Sequence, residues 1–279
     1  MGLGRAKEPA RIQFLGLPLD VVNWDGLFEY VFGATPREGS CTIMYLNAHT
    51  CNLAFRNPRM REALRKSDLV YCDGAGVQLG AYLLGFGPLE RMTAADFMAD
   101  VACECARRRV SVFLLGGRPG IAEAAASRLK ELASGLRIAG THHGYFLCPR
   151  DCSKEVVGRI NRARPDILFV GLGSPLQEIW TSEHRRAIDV PTVWCVGAMM
   201  DFVSGSSRRA PRWMRCCGLE WLWRLALEPR RLFVRYVLGN PVFLMRVLAH
   251  RVGIERNSRP LGGARTLKEH RHCEHSGER

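Results

Sequence analysis

The stretch VSVFLLGGRPGIAEAAASRLKELA, residues 110–133, contains a strand, a glycine-rich turn and a helix in succession. Positions 110–115 form a short apolar, uncharged run of the kind a strand covered on both faces requires. GGRPG at 116–120 ends that run, and the helical pattern of 120–133 follows. Working outward, strand-like runs recur at 12–17, 42–47, 69–72, 136–140, 167–171 and 192–196, with helical spacing between them, as at 155–163. This alternation predicts an α/β fold: a Rossmann-like parallel sheet with helices on both faces. In such sheets ligands bind beyond the carboxyl ends of the strands.

Four of these strand ends carry unusual chemistry. The run at 42–47 leads into Ala48, His49 and Thr50, and that at 69–72 into Asp73, Gly74, Ala75 and Gly76. The others lead into GGRPG at 116–120 and GLGSPLQE at 171–178. Asp73, between a buried strand and a flexible turn, suits a general base that takes a proton from an attacking hydroxyl; it equally suits a helix N-cap. Asn47 and Thr50 can meet sugar hydroxyls or cap a helix beginning near Asn52. Gln177 and Glu178 can read a polar ligand or finish a cap. The turn glycines Gly116, Gly117 and Gly173 leave room for a phosphate against backbone N–H groups, or simply make tight turns. Arg91, in LERMTAADF, would neutralise diphosphate beside a site, or pair with Glu90 or Asp96 on a surface. His142 and His143 can contact a ligand or pack. GGRPG falls short of the dinucleotide fingerprint GxGxxG, and no acid closes the following strand, which argues against a nicotinamide or flavin.

The C-terminal part differs. RRAPRWMRCCGLEWLWRLALEPRRLFVRY, residues 208–236, holds eight arginines and five aromatics but only two acids. From Phe202 onward there are 16 Lys and Arg against 6 Asp and Glu, a surplus of ten out of the chain's formal charge of +13. Such a segment suits an anionic membrane, a phosphorylated ligand or nucleic acid, or a solvated helix face. The expected division is an α/β body at 1–205, a basic aromatic helical appendage at 206–253, and a polar, disordered tail at 254–279.

The eleven cysteines are scattered, odd in number and without a CxxC pair, so neither a disulfide framework nor a zinc site is indicated. MGLGRAKEPAR has no apolar leader core, which predicts a reducing cytosol. The uncharged piece 74–89 is too short and glycine-rich to span a bilayer of roughly 20 helical residues, so membrane contact is expected to be peripheral. No Asp-x-Asp pair occurs. A metal-independent reaction without cofactor is expected, with arginines neutralising a leaving diphosphate.

The strings LNAHT (46–50), DGAGV (73–77), ERMTAADF (90–97), FLLGGRPG (113–120), HHGYF (142–146), PDILFVGLGSPLQE (165–178) and RAPRW followed by GLEWLWRLALEPRRLFVRY occur in one order over 14–253. Together they resemble the WecG/TagA/CpsF family of bacterial glycosyltransferases. The resemblance implies inverting transfer of a sugar, typically of N-acetylmannosamine type, from a UDP-sugar to an undecaprenyl-diphosphate-linked saccharide in cell-surface polysaccharide synthesis. The reaction would take place on the cytoplasmic membrane face. It implies Asp73 as base, Asn47, Arg91 and Gln177 around the site, and C-terminal arginines such as Arg209, Arg224, Arg230, Arg231 and Arg235 on the diphosphate. The chain departs from the family at Tyr45, where members often carry Thr. The partners expected are the UDP-sugar donor, the polyprenyl-diphosphate acceptor and an anionic membrane surface, with no nucleic acid and room for a homo-oligomer. The alternatives are a nucleic-acid-binding protein using the Arg/Trp segment and a nucleotide-dependent oxidoreductase on the same sheet.

Overall fold

The computed structural model describes residues 9–33, 40–146 and 151–253. The expected polar tail at 254–279 lies outside them. In chain order the elements are β1 (Ala10–Phe14), β2 (Leu17–Val21), α1 (Trp24–Phe32), β3 (Cys41–Leu46), α2 (Ala48–Arg56), α3 (Pro58–Lys66) and β4 (Leu69–Cys72). Then come α4 (Ala75–Leu83), α5 (Ala94–Arg108), β5 (Ser111–Gly116), α6 (Ile121–Leu132), β6 (Arg137–His142), α7 (Asp151–Ala163), β7 (Ile167–Gly171), α8 (Leu176–His184) and β8 (Thr192–Cys195). The chain continues through α9 (Met199–Val203), α10 (Arg212–Cys216), α11 (Glu220–Leu227), α12 (Pro229–Phe233), a π-helical turn (Val234–Leu238) and α13 (Gly239–Arg251).

Six strands form one parallel sheet in the order β4-β3-β8-β7-β5-β6. Alternate strand residues supply the two cores, because successive side chains point to opposite faces. Met44, Leu46, Val70, Cys72, Leu168 and Val170 belong to one apolar cluster, with residues of α2, α3, α4 and α13. Ile43, Tyr45, Leu69, Tyr71, Ile167 and Phe169 belong to the other, with residues of α1, α5 and α6. The fold is the α/β, Rossmann-like sheet that the alternation predicts.

The run at 12–17 is not one strand. Leu15 and Gly16 take positive φ (51° and 73°), and β1 turns back as an antiparallel hairpin with β2, separate from the main sheet. Gly16 is the turn signal, but the apolar Phe14, Leu15 and Leu17 around it make the segment read as one strand. The hairpin is fastened to the body through Asp20, whose carboxylate takes both Arg11 nitrogens at 2.8 Å and the Val70 N–H at 2.6 Å.

Residues 206–253 run as α10 to α13 across the body. The last of these helices carries Phe243 and Val247, 3% and 0% exposed, into the same cluster as Phe14 and Val77. Asn52 Nδ2 donates to the Gly239 carbonyl at 2.7 Å. Pro229–Arg251 is a continuous helical run of 23 residues, long and apolar enough to cross a membrane by length and composition. Arg235 and Arg246 interrupt the apolar run, so sequence scanning for unbroken apolar stretches passes over it.

Candidate active site

A cleft of about 970 Å³ opens at the carboxyl ends of the parallel strands. Asn47 follows β3, Asp73 follows β4, Gly117 follows β5, Gly173 follows β7 and Gly197 follows β8. Each of these strands delivers the first or second residue after it to this edge because the sheet is parallel throughout.

Asp73 is the focus. Its backbone N–H is bonded to the Leu46 carbonyl at 2.8 Å, which continues the β3–β4 ladder one residue beyond the strands. Its carboxylate accepts from Asn47 Nδ2 at 3.0 Å and from Thr93 Oγ1 at 2.9 Å. The cap before α4 is Gly74, at φ 95°, so the alternative reading of Asp73 as a helix cap is not what the chain adopts. Thr93 reaches Asp73 because the Met92 N–H bonds to the Cys72 carbonyl at 2.9 Å, tying the loop before α5 to the end of β4.

Burial raises the Asp73 carboxyl above the ordinary carboxylate range. The Asn47 and Thr93 hydrogen bonds and the charges of Arg235 and Arg224 oppose that rise without cancelling it. A half-buried carboxylate with two fixed donors and a raised pKa has the properties of a general base.

Asn47 performs two tasks. Its Oδ1 caps α2 by accepting the Thr50 N–H at 2.9 Å, while the Thr50 hydroxyl accepts the Asn47 N–H at 2.8 Å. This reciprocal capping box fixes the Asn47 side chain and leaves Nδ2 for Asp73. The helix begins at Ala48, earlier than the expected start near Asn52.

Several expected contacts lie off the cleft. Thr50 is fully buried in the capping box. Gln177 is also fully buried, beneath the floor: its Nε2 donates to Tyr45 OH at 3.0 Å and Glu178 Oε1 at 2.8 Å, and its Oε1 accepts the Gly197 N–H at 3.1 Å. It braces the β7 and β8 ends and does not face a ligand directly. Gly116 is needed for strand approach, since a Cβ there would stand 2.3 Å from the Gly171 carbonyl oxygen at φ 152°. Arg91 is half-buried outside the cleft, and its motif contributes Thr93 instead. Arg209 is engaged by Asp96 at 2.5 Å and Glu220 at 3.3 Å, with its guanidinium 5.0 Å from the Phe202 ring. Arg230 is exposed and is not among the cleft residues.

Arg224, Arg231 and Arg235 do line the cleft. Arg224 lies over the Phe202 ring at 5.3 Å. Arg231 is paired with Glu228 at 2.5 Å, and the buried Nε of Arg235 has no hydrogen-bond partner. Arg235 and Arg224 also act on His49, a cleft residue in the first turn of α2, whose pKa burial and these two charges lower to about 4.

The residue pattern alone did not single out Thr93, Tyr145 or Asp201, all of which line the cleft, and it reached His49 and Arg118 only as members of strand-end turns. The strand-end rule reaches Asp201 when it is applied to β8 as well, because the chain leaves that strand through Gly197 and Ala198. Thr93 carries no such local signal, since only the long-range Met92–Cys72 bond brings it to Asp73.

The model for the Glycosyl transferase WecG/TagA/CpsF family matches residues 12–257. The chain belongs to this family. It is a glycosyltransferase, which displaces the nucleic-acid and oxidoreductase alternatives. Among similar proteins, an N-acetylglucosaminyldiphosphoundecaprenol N-acetyl-beta-D-mannosaminyltransferase of Bacillus spizizenii is 30% identical over 197 residues, covering 71% of this chain and 74% of the relative. A Staphylococcus aureus protein of the same name is 26% identical over 250 residues, 88% of this chain and 96% of its own length.

Proposed function

We propose that this glycosyltransferase carries out an inverting transfer of an N-acetylmannosamine-type sugar from a UDP-sugar to an undecaprenyl-diphosphate-linked N-acetylglucosamine. The product would serve cell-surface polysaccharide synthesis at the cytoplasmic membrane face. The observation that carries this reading is Asp73, braced by Asn47 and Thr93, sharing one cleft with Arg224, Arg231 and Arg235. The names of the two relatives supply the sugar and the acceptor.

Asp73 takes the proton from the attacking hydroxyl of the acceptor sugar as its oxygen bonds to the anomeric carbon. The bond from that carbon to the diphosphate breaks on the opposite face, and UDP leaves with the electron pair. The configuration is inverted in this single displacement. The three arginines neutralise the charge that develops on the departing diphosphate, a task that a metal ion performs in other enzymes. Among the described residues no group of three or more His, Cys, Asp or Glu is arranged to hold a metal. Metal independence is therefore proposed on the strength of the arginines.

The membrane association proposed is peripheral. α13 keeps Phe243 and Val247 in the core, and drawing it across a bilayer would strip both from their partners. Trp213, Trp221 and Phe233 are exposed on the appendage and suit the headgroup boundary, whereas Trp223 and Tyr236 turn inward.

The test is UDP release from a panel of UDP-sugars with a short-chain polyprenyl-diphosphate N-acetylglucosamine. UDP-N-acetylmannosamine is expected to be turned over only when the acceptor is present. Turnover of another UDP-sugar alone would overturn the donor assignment, and failure to use the lipid-diphosphate acceptor would overturn the acceptor.

A further inference from the structure

The motif LNAHT at 46–50 places three polar side chains at the end of β3, and two of them are already committed. Asn47 caps α2 through Oδ1 and holds Asp73 through Nδ2, while Thr50 is buried in the same capping box. His49 is left. Its half-buried ring lines the cleft and makes no hydrogen bond or ion pair among the described residues. Both ring nitrogens are therefore open to whatever the cleft receives.

His49 also stands where the two walls of the cleft meet. It belongs to the first turn of α2, two residues beyond the Asn47 that supports Asp73. One turn further along α2, Asn52 Nδ2 donates to the Gly239 carbonyl at 2.7 Å, and Arg246 Nη1 donates to Asn52 Oδ1. Gly239 directly follows the π-helical turn that carries Arg235. The Asn52 bonds thus hold the appendage against α2, and the charges of Arg235 and Arg224 reach His49. A substrate that extends from Asp73 to these arginines meets this ring.

Chemistry selects the group that it meets. Burial and the two arginine charges lower the His49 pKa to about 4, so at neutral pH the ring offers one N–H donor and one lone pair. A phosphate oxygen only accepts, and would leave that lone pair without a partner in a desolvated cleft. The hydroxyl and acetamido groups of a sugar supply donors and acceptors together, and so can satisfy both nitrogens.

We propose that His49 is a specificity-determining contact, hydrogen-bonded to a hydroxyl or acetamido group of one of the two sugars that react over Asp73. This rests on the proposed reaction and adds to it a residue that reads the sugar, beside the aspartate that takes the proton and the arginines that meet the diphosphate.

The experiment is steady-state kinetics of the full chain with UDP-N-acetylmannosamine and the short-chain polyprenyl-diphosphate N-acetylglucosamine, each varied in turn. UDP binding is measured by calorimetry on the same preparations. His49→Leu fills the space with neither donor nor acceptor. His49→Gln and His49→Asn restore both without a charge, Gln near the reach of Nε2 and Asn near that of Nδ1. Thermal unfolding should stay near that of the parent, since the ring has no hydrogen-bond partner to lose. His49→Leu should lower kcat/KM by roughly 10–100-fold, the loss of one or two hydrogen bonds to neutral groups. One of the two amide variants should recover most of that loss, and UDP affinity should be unchanged. The substrate whose kcat/KM falls more identifies which sugar is met. Parental kinetics in His49→Leu would overturn this inference and leave the reaction standing. Weaker UDP binding in that variant would place the residue on the nucleotide and reject the sugar contact. A loss that neither amide recovers would mark packing, or, if His49→Lys keeps activity, a diphosphate contact, and either would overturn the inference. No turnover of this substrate pair by the parent would overturn the reaction and the inference together.

Discussion

The two walls of the cleft are held by different physics. The body wall consists chiefly of residues one or two steps beyond parallel strands, fixed by the capping box of α2, the backbone bond of Asp73 to Leu46, and the Met92–Cys72 tie. The appendage wall consists of arginines on α11, α12 and the π-helical turn, fixed by ion pairs, by the Phe202 ring and by the burial of Phe243 and Val247 far along the run. The first wall is set by backbone hydrogen bonds at the strand ends and by a helix cap. The second is set by long-range packing, so its side chains can be displaced without unmaking the sheet.

The sharpest way to break this contrast is at Asp73. Asp73→Asn keeps the shape and leaves Asn47 and Thr93 a partner, so unfolding should change little. Turnover should fall by roughly 10²–10⁴-fold. Circular dichroism and UDP release on one preparation check both halves, and full activity would remove Asp73 from the role of base.

Phe243→Ala attacks the other wall through its anchor. It should cost about 3–5 kcal/mol of unfolding free energy, measured in denaturant, because it opens a cavity among Phe14, Gly76 and α2. A cost near zero would mean that the appendage is not seated on the body in this way.

Arg224→Ala and Arg235→Ala should each lower kcat/KM by about 10²–10³-fold with stability preserved, since in the proposed reaction they would meet charge that develops as UDP leaves. Arg209→Ala provides the contrast. Its guanidinium is committed to Asp96 and Glu220, so the expected loss is smaller and should include weaker seating of α10 and α11. Equal losses at all three positions would erase the distinction between cleft-lining and latching arginines.

Thr93→Val removes one donor from the ionised Asp73, for about a tenfold loss. It also changes the pH profile. Asp73 accepts a proton only when ionised, and burial already raises its pKa, so activity falls as pH falls through that raised value. Without the Thr93 bond the carboxylate is less stabilised, and the acid limb of kcat/KM should move to higher pH. His49 does not produce this limb, because it stays neutral down to about 4. The smallest effect is expected from a chelator, which should leave turnover unchanged if arginines alone carry the diphosphate charge.

Much of the body wall was legible in the residue order. Strand runs ending in Asn47, Asp73, Gly117 and Gly173 announce a parallel sheet with a polar edge, because strand spacing and turn glycines are local signals. Gln177 was expected to line the site, and its buried place beneath the floor was not legible, since its partners Tyr45 and Gly197 come from other strands. Arg209 and Arg224 look alike in sequence, and only Asp96 and Glu220 separate them.

By itself the sequence determined the alternation of strands and helices, the family, and which turns hold polar chemistry, because periodicity and motif order need no knowledge of neighbours in space. Tertiary structure alone decided that residues 10–21 fold back as a hairpin, that Thr93 completes the setting of Asp73, and which arginines enter the cleft. Apart from the hairpin, a local pairing, these depend on contacts between residues far apart in the chain, where packing and charge pairing choose among side chains that local pattern leaves equivalent.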